Sequence, residues 1–217
     1  MVEYIKLGSG VEINDDLAKE LCDCLEKDGV IALPTDTVYG LACDIKSFRG
    51  ITSIYEMKQR KFDKPLCICV NSIRDVYKYA DVNISKDILE TLLPGCYTLI
   101  FKKSVNVPKY LNPDIDTIGI RFIYNNDISK ILSNLDSECI VLSSANLSNK
   151  GNSIKTDDFY EIWNNLSYIL DREELDLDGD SSTIIDFSDK DNINILRNGK
   201  GYNYLLHMLD NYGINIR

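Results

Sequence analysis

Residues 31 to 41 read I-A-L-P-T-D-T-V-Y-G-L, and they constrain the chain more than any other stretch. The apolar run Gly29 to Leu33 carries a buried strand over Val30 to Leu33, and Pro34 closes it, because proline has no amide hydrogen to give to a ladder. Three polar residues follow, Thr35, Asp36 and Thr37, and then Val38, Tyr39 and Leu41 surround Gly40. Gly40 suits tight backbone or a close approach to something else. A buried strand thus delivers two hydroxyls and a phenol to a sheet edge, and these groups donate and accept hydrogen bonds without carrying charge. The plainer reading is a polar turn between two core elements, with Tyr39 a core aromatic whose hydroxyl is satisfied. Both readings stand on this stretch alone.

Hydrophobic spacing places the remaining elements. Leu17, Leu21 and Leu25 recur on one face and predict a helix over 14–28, capped by Asn14 or Asp15 and ended by Gly29. A second helix is expected over 47–59 with Ser47 as its cap. Lys58 and Arg60 lie two residues apart, so a continuous helix would point them in different directions. They serve one ligand only if the helix ends near Gln59, and Pro65 in K-Q-R-K-F-D-K-P supports an end there. Strands are expected at 66–70, 97–101, 117–122, 140–143, 168–170, 183–187 and 193–196. Short helices are expected at 73–79, 85–93, 127–135, 159–166 and 202–209. In T-I-G-I-R-F, Ile118 and Ile120 toward the core turn Thr117, Gly119 and Arg121 to the other side. Strands and helices alternate without clean βαβ units, so the expected class is α/β, a twisted mixed β-sheet flanked by helices. Residues 1–217 are expected to form a single domain.

Charge narrows the function classes. The 24 Lys and Arg stand against 34 Asp and Glu, a net charge of -10. That disfavours strong non-specific binding to nucleic acid or to an anionic membrane, while leaving room for a local basic pocket. Seven cysteines, an odd number with no zinc spacing, read as buried free thiols of a reducing compartment, with a zinc site as the alternative. There is no apolar run long enough to span a membrane, and the first residues lack the pattern of a signal or transit peptide, so a cytoplasmic location is expected.

The charged candidates fixed by turn or strand-end signals are Lys58, Arg60, Lys64, Arg121 and Arg197. The hydroxyl and amide candidates are Thr35, Thr37, Tyr39, Ser144, Asn146, Ser148, Ser182 and Thr183. Together they describe a site for an anion with several oxygens, in which cations neutralise and neutral donors orient. Singly, each reads as a solvated surface residue, a loop cap or a turn. No nucleophilic triad, Walker loop or G-x-G-x-x-G is present. Asp36, Asp44 and Asp186 are carboxylates that can help hold magnesium, although a triphosphate supplies much of that coordination itself.

With K-Q-R-K-F-D-K-P-L, S-S-A-N-L-S, G-D-S-S-T-I-I-D and L-R-N-G added to the opening stretch, the chain resembles the YrdC/Sua5 family of threonylcarbamoyl-adenylate synthases, from about the first helix to Gly199. The resemblance implies a YrdC-like α/β fold with a concave ligand cavity. It also implies a nucleotidyltransferase that makes threonylcarbamoyl-AMP and pyrophosphate from L-threonine, bicarbonate and ATP with Mg2+. That product serves t6A formation at adenosine 37 of tRNAs reading codons that begin with A, through a separate transferase complex. Carried over residue by residue, Thr35, Tyr39, Arg121 and Ser182 are expected to hold threonine. Lys58 and Arg60 are expected at the triphosphate as catalytic groups, and Thr117, Ser144, Asn146 and Arg197 at the nucleotide. Three departures stand out. Cys96 replaces the second proline of the family's P-G-P-x-T, Gly151 is displaced from the end of S-A-N-x-S-G, and Cys69 stands where many members carry histidine. The alternative is an RNA-binding or non-catalytic scaffold protein of tRNA modification or ribosome maturation.

Overall fold

The computed structural model describes residues 1–8, 10–147, 150–172 and 178–214. Ser148 and part of the acidic run at 175–180 lie outside the described residues. Eleven strands form one mixed sheet in the order β1-β9-β2-β3-β8-β4-β7-β6-β10-β11, with the two-residue β5 paired to β6. The strands are β1 (Glu3–Leu7), β2 (Ile31–Pro34), β3 (Tyr39–Asp44), β4 (Cys67–Val70), β5 (Ala80–Asp81), β6 (Tyr97–Lys103), β7 (Thr117–Phe122), β8 (Cys139–Ser144), β9 (Tyr168–Arg172), β10 (Thr183–Asp186) and β11 (Asn194–Arg197). The helices are α1 (Asp15–Glu26), α2 (Phe48–Met57), α3 (Ile73–Tyr79), α4 (Lys86–Leu92), α5 (Asn126–Asn134) and α6 (Tyr202–Asn211).

Local chemistry explains several of these limits. Asn14 accepts a hydrogen bond from the Leu17 amide and starts α1, and Ser47 does the same for α2 through Gly50. α2 stops at Met57, and Gln59 takes a left-handed φ of 49°, so Lys58 and Arg60 leave the helix in a turn. The opening stretch is a hairpin. β2 and β3 pair antiparallel from Ile31 with Ala42 to Pro34 with Tyr39, and the three polar residues with Val38 make the turn.

The differences from the sequence reading have physical causes. β1 goes unexpected because E-Y-I-K-L is short and mostly exposed, and it is recruited by parallel pairing with β9. The segment Thr156–Asn165 is a 3-10 helix interrupted at Phe159 rather than an α-helix.

The cavity comes from unequal cover of the two sheet faces. One face is packed across nearly its whole width by α2, α3, α4, α6 and the 3-10 segment, on residues such as Leu41, Ile68, Val141, Ile120, Leu99 and Ile185. The other face is covered by α1 and α5 over β2, β3, β8, β9 and part of β4. No residue of β6, β10 or β11 belongs to that second core. Alternation then leaves Thr98, Ile100, Gly119, Arg121 and Ile184 on bare sheet, and there the cleft opens.

Candidate active site

The cleft is a cavity of about 170 Å3. Its floor is Cys67, Thr98, Ile100, Gly119, Arg121, Leu142 and Ile184. Its walls are the Thr35–Val38 turn, Arg60 and Pro65 after α2, Ser143 and Ser144 at the end of β8, Ser181 and Ser182 before β10, and Arg197 at the end of β11.

The hairpin turn is held from within. The Thr35 hydroxyl donates to the Val38 carbonyl at 2.6 Å and accepts from the amides of Thr37 and Val38 at 3.1 and 3.2 Å. Tyr39 lines the cavity, but its hydroxyl is committed elsewhere. It donates to Asp171 at 3.3 Å and accepts from the Arg172 amide at 3.1 Å. Burial and then the Asp171 carboxylate push this phenol up to about 12. The satisfied core aromatic is therefore the arrangement seen for Tyr39.

Arg121 is 5% exposed. Its Nη2 lies 2.5 Å from Asp36 Oδ1, its Nη1 donates to Thr37 Oγ1 at 3.3 Å, and its Nε is buried without a partner among the described residues. Arg197 donates from Nε to the Ser182 carbonyl and from Nη2 to the Ser182 hydroxyl, both at 2.9 Å. The Ser182 hydroxyl also meets Thr98 Oγ1 at 2.8 Å. Burial of the guanidinium lowers the Arg197 pKa from its ordinary value. Gly199 makes this approach possible, since a Cβ there would sit 2.1 Å from the Ser181 carbonyl oxygen. Arg60 donates to the carbonyls of Lys64 at 3.0 Å and Pro65 at 2.8 Å. Burial raises the Cys67 pKa, and Arg121, Arg197 and Arg60 all act against that rise, as expected of three guanidiniums converging on one stretch of floor.

Lys58 sits behind the wall rather than in it. It is 1% exposed, and its ammonium donates to the Ser144 carbonyl, to the Asn146 carbonyl at 2.6 Å and to Asn146 Oδ1 at 3.1 Å. Asn146 Oδ1 also accepts from the Ser144 hydroxyl at 2.5 Å, and its amide nitrogen reaches the carbonyls of Lys150 and Gly151. Burial, then the Arg60 charge, lowers the Lys58 pKa to about 7, while the carbonyl acceptors favour the charged form. Lys58 and Asn146 thus brace the turn that presents Ser144.

The structure brings Thr35, Tyr39, Arg60, Arg121, Ser144, Ser182 and Arg197 to one cavity. Thr117 shares a strand face with Gly119 and Arg121 but lies beyond the lining, and Lys58 and Asn146 form the support just described. Thr183 turns aside, bonding the Lys200 carbonyl and the Gly199 amide. Sequence reasoning did not assign Thr98 or Cys67 to the site. Alternation with the buried Leu99 and Ile68 is the signal that places them on the open face. Among the carboxylates considered for magnesium, Asp44 accepts from the Lys46 amide and Asp186 from the Ser188 amide, both off the cavity, and Asp36 is taken by Arg121. Among the described residues no group of three or more His, Cys, Asp or Glu converges. Cys69, at the place of the expected histidine, is fully buried beside Arg121 on β7.

Comparison with known proteins agrees with this fold. The family model for Sua5, YciO and YrdC proteins, described as telomere recombination, matches residues 23–199. Threonylcarbamoyl-AMP synthase of Bos taurus is 34% identical over 196 residues, which cover 88% of this chain and 70% of that protein. The Homo sapiens synthase is 35% identical over 181 residues, covering 81% and 64%. The structure of P. abyssi Sua5 complexed with L-threonine superposes with a TM-score of 0.80 at 25% identity, covering 92% of this chain and 57% of that one. E. coli YciO shares the fold at a TM-score of 0.80 and 23% identity, covering 92% and 97%. The chain thus spans 64 to 70% of the length of the two mammalian synthases and somewhat over half of the P. abyssi protein. On the family match over 23–199 and these shared sequences and folds, the chain belongs to the YrdC/Sua5 family of threonylcarbamoyl-AMP synthases.

Proposed function

We propose that this protein is a nucleotidyltransferase that joins L-threonine, bicarbonate and ATP into threonylcarbamoyl-AMP and releases pyrophosphate, for t6A modification at adenosine 37 of tRNAs. The observation that carries this reading is the convergence of Arg60, Arg121 and Arg197 with neutral hydroxyls on one cavity of a chain whose net charge is -10. Relatives named for this activity, and a relative solved with L-threonine, support it.

In this reading Arg121 takes the threonine carboxylate, with Thr35, Tyr39 and Ser182 shaping the amino-acid end. Arg60 and Arg197 face the phosphates, with Ser144, Asn146 and Thr117 on the nucleotide side. Lys58 acts on the same phosphates through the turn it braces. Magnesium enters with the triphosphate, as the MgATP substrate. The threonine amine, once neutral, attacks the carbon of bicarbonate or of carbon dioxide derived from it. The bond from that carbon to the bicarbonate hydroxyl breaks, and the hydroxyl leaves as water with the proton lost from the amine, giving a carbamate. A carbamate oxygen then attacks the α-phosphorus, and the bond to the bridging oxygen of the β-phosphate breaks. Pyrophosphate leaves with that electron pair. Guanidiniums fixed beforehand stabilise the charge on the transferring and leaving groups, and no covalent enzyme intermediate is required. A recessed cleft limits water at the labile carbamate.

Pyrophosphate release in the presence of MgATP tests the reading. Release is expected only when threonine and bicarbonate are both present, and release independent of threonine contradicts it.

A further inference from the structure

Arg121 differs from the other two cavity cations. Arg60 and Arg197 give their hydrogen bonds to neutral groups, and among the described residues neither makes an ion pair. Arg121 is paired with Asp36 at 2.5 Å, with the two side chains 6% and 20% exposed. Thr35, Thr37 and Arg121 line the cavity and Asp36 does not, so the carboxylate holds the guanidinium from behind. Among the described residues Arg121 Nε is a buried donor without an acceptor.

This pairing sets Arg121 apart electrostatically from Arg60 and Arg197. A guanidinium in contact with a carboxylate has little net charge at a distance, yet its remaining N–H groups still point. Arg121 therefore offers directed donors with little net positive potential of its own, whereas Arg60 and Arg197, among the described residues, are uncompensated cations. Among the described residues no acidic side chain lines the cavity. An uncompensated guanidinium grips phosphate as readily as carboxylate. A compensated one favours a carboxylate whose charge is balanced within its own molecule.

We propose that Asp36 is a specificity-determining residue: by neutralising and positioning Arg121 from outside the cavity, it makes the amino-acid end select a net-neutral zwitterion and leaves anionic groups to Arg60 and Arg197. This rests on the proposed function for the identity of the amino acid.

L-asparagine and L-aspartate have nearly the same shape and differ in net charge, so their ability to displace L-threonine, followed by calorimetry, isolates the effect. In the wild type, asparagine is expected to compete more strongly than aspartate. In Asp36→Asn the asparagine-to-aspartate preference should fall by about tenfold, as expected when one neighbouring charge is removed at a partly buried site. Asp36→Glu should restore the preference. An unchanged ratio in Asp36→Asn overturns the proposal. So does a wild type that takes aspartate as well as asparagine, whether or not Asp36→Asn folds. Threonine bound with the ratio unchanged removes this inference alone, whereas a wild type that neither binds threonine nor forms threonylcarbamoyl-AMP removes the function reading with it.

Discussion

Lys58 and Arg60 are two residues apart and answer to different physics. Arg60 is half-buried and bonded to carbonyls of its own loop. Arg60→Gln is expected to lower kcat/KM for ATP by about a hundredfold or more, while stability moves by less than ~1 kcal/mol; steady-state kinetics and urea unfolding check both. Burial, then the Arg60 charge, lowers the Lys58 pKa to about 7 from its ordinary value of 10.5. Between these values the unfolded chain binds more protons than the folded one, so the Lys58 contribution to stability rises with pH. Below about pH 7 both states hold the proton and the burial cost is fully felt. The stability of the wild type minus that of Lys58→Met should therefore climb from about pH 7 toward pH 10.5, and a flat difference would contradict the assigned burial effect. The subtraction removes the opposite trend of Tyr39 and the buried thiols of Cys43 and Cys69, whose raised values weaken the fold as pH rises past their ordinary range. These residues also show how far sequence reaches. K-Q-R-K-F-D-K-P told that the helix must end before Arg60, because proline and charge are local signals. That Lys58 turns inward to Ser144 and Asn146 was not legible, because its partners lie 86 and 88 residues away and carry no mark of the pairing.

At the level of elements, the open half of the sheet decides where ligand goes. β7 was legible in full: T-I-G-I-R-F alternates, and Ile118 and Ile120 are buried on one face while Gly119 and Arg121 line the cavity on the other. A strand period is a local property and survives tertiary context. The short edge strand β1 and the 3-10 segment were not legible, since one depends on its partner β9 and the other on packing of Phe159 and Ile162 into the core. Gly119 tests the floor. A Cβ there would come 3.0 Å from Thr98 Cγ2 and 3.3 Å from Cys67 Cβ, and further methyls would project into the cleft. Gly119→Val suits a strand by its branching but fills the cavity. The protein is expected to fold with a loss of about 1–3 kcal/mol, and threonine binding measured by calorimetry should weaken by at least tenfold. Unaltered threonine binding would place the amino acid elsewhere.

For the whole molecule, 34 acidic against 24 basic side chains give a net charge of -10. A broad RNA-binding footprint needs many exposed cations tracking the backbone. No shift of tRNA or unrelated RNA is therefore expected in a low-salt gel; retention of both would favour the RNA-binding alternative. None of the described helices is long and apolar enough to cross a membrane. The site follows from one asymmetry, a sheet packed across nearly its whole width on one side and only partly covered on the other, with Arg60, Arg121 and Arg197 over the bare part. The most direct measurement follows the carbamoyl carbon. The protein is incubated with MgATP, L-threonine and carbon-13 bicarbonate, and the products are read by mass spectrometry. A threonylcarbamoyl-AMP carrying the label in its carbamoyl group is the predicted result. ATP consumed without that labelled adenylate, or no adenylate with every substrate supplied, would contradict it.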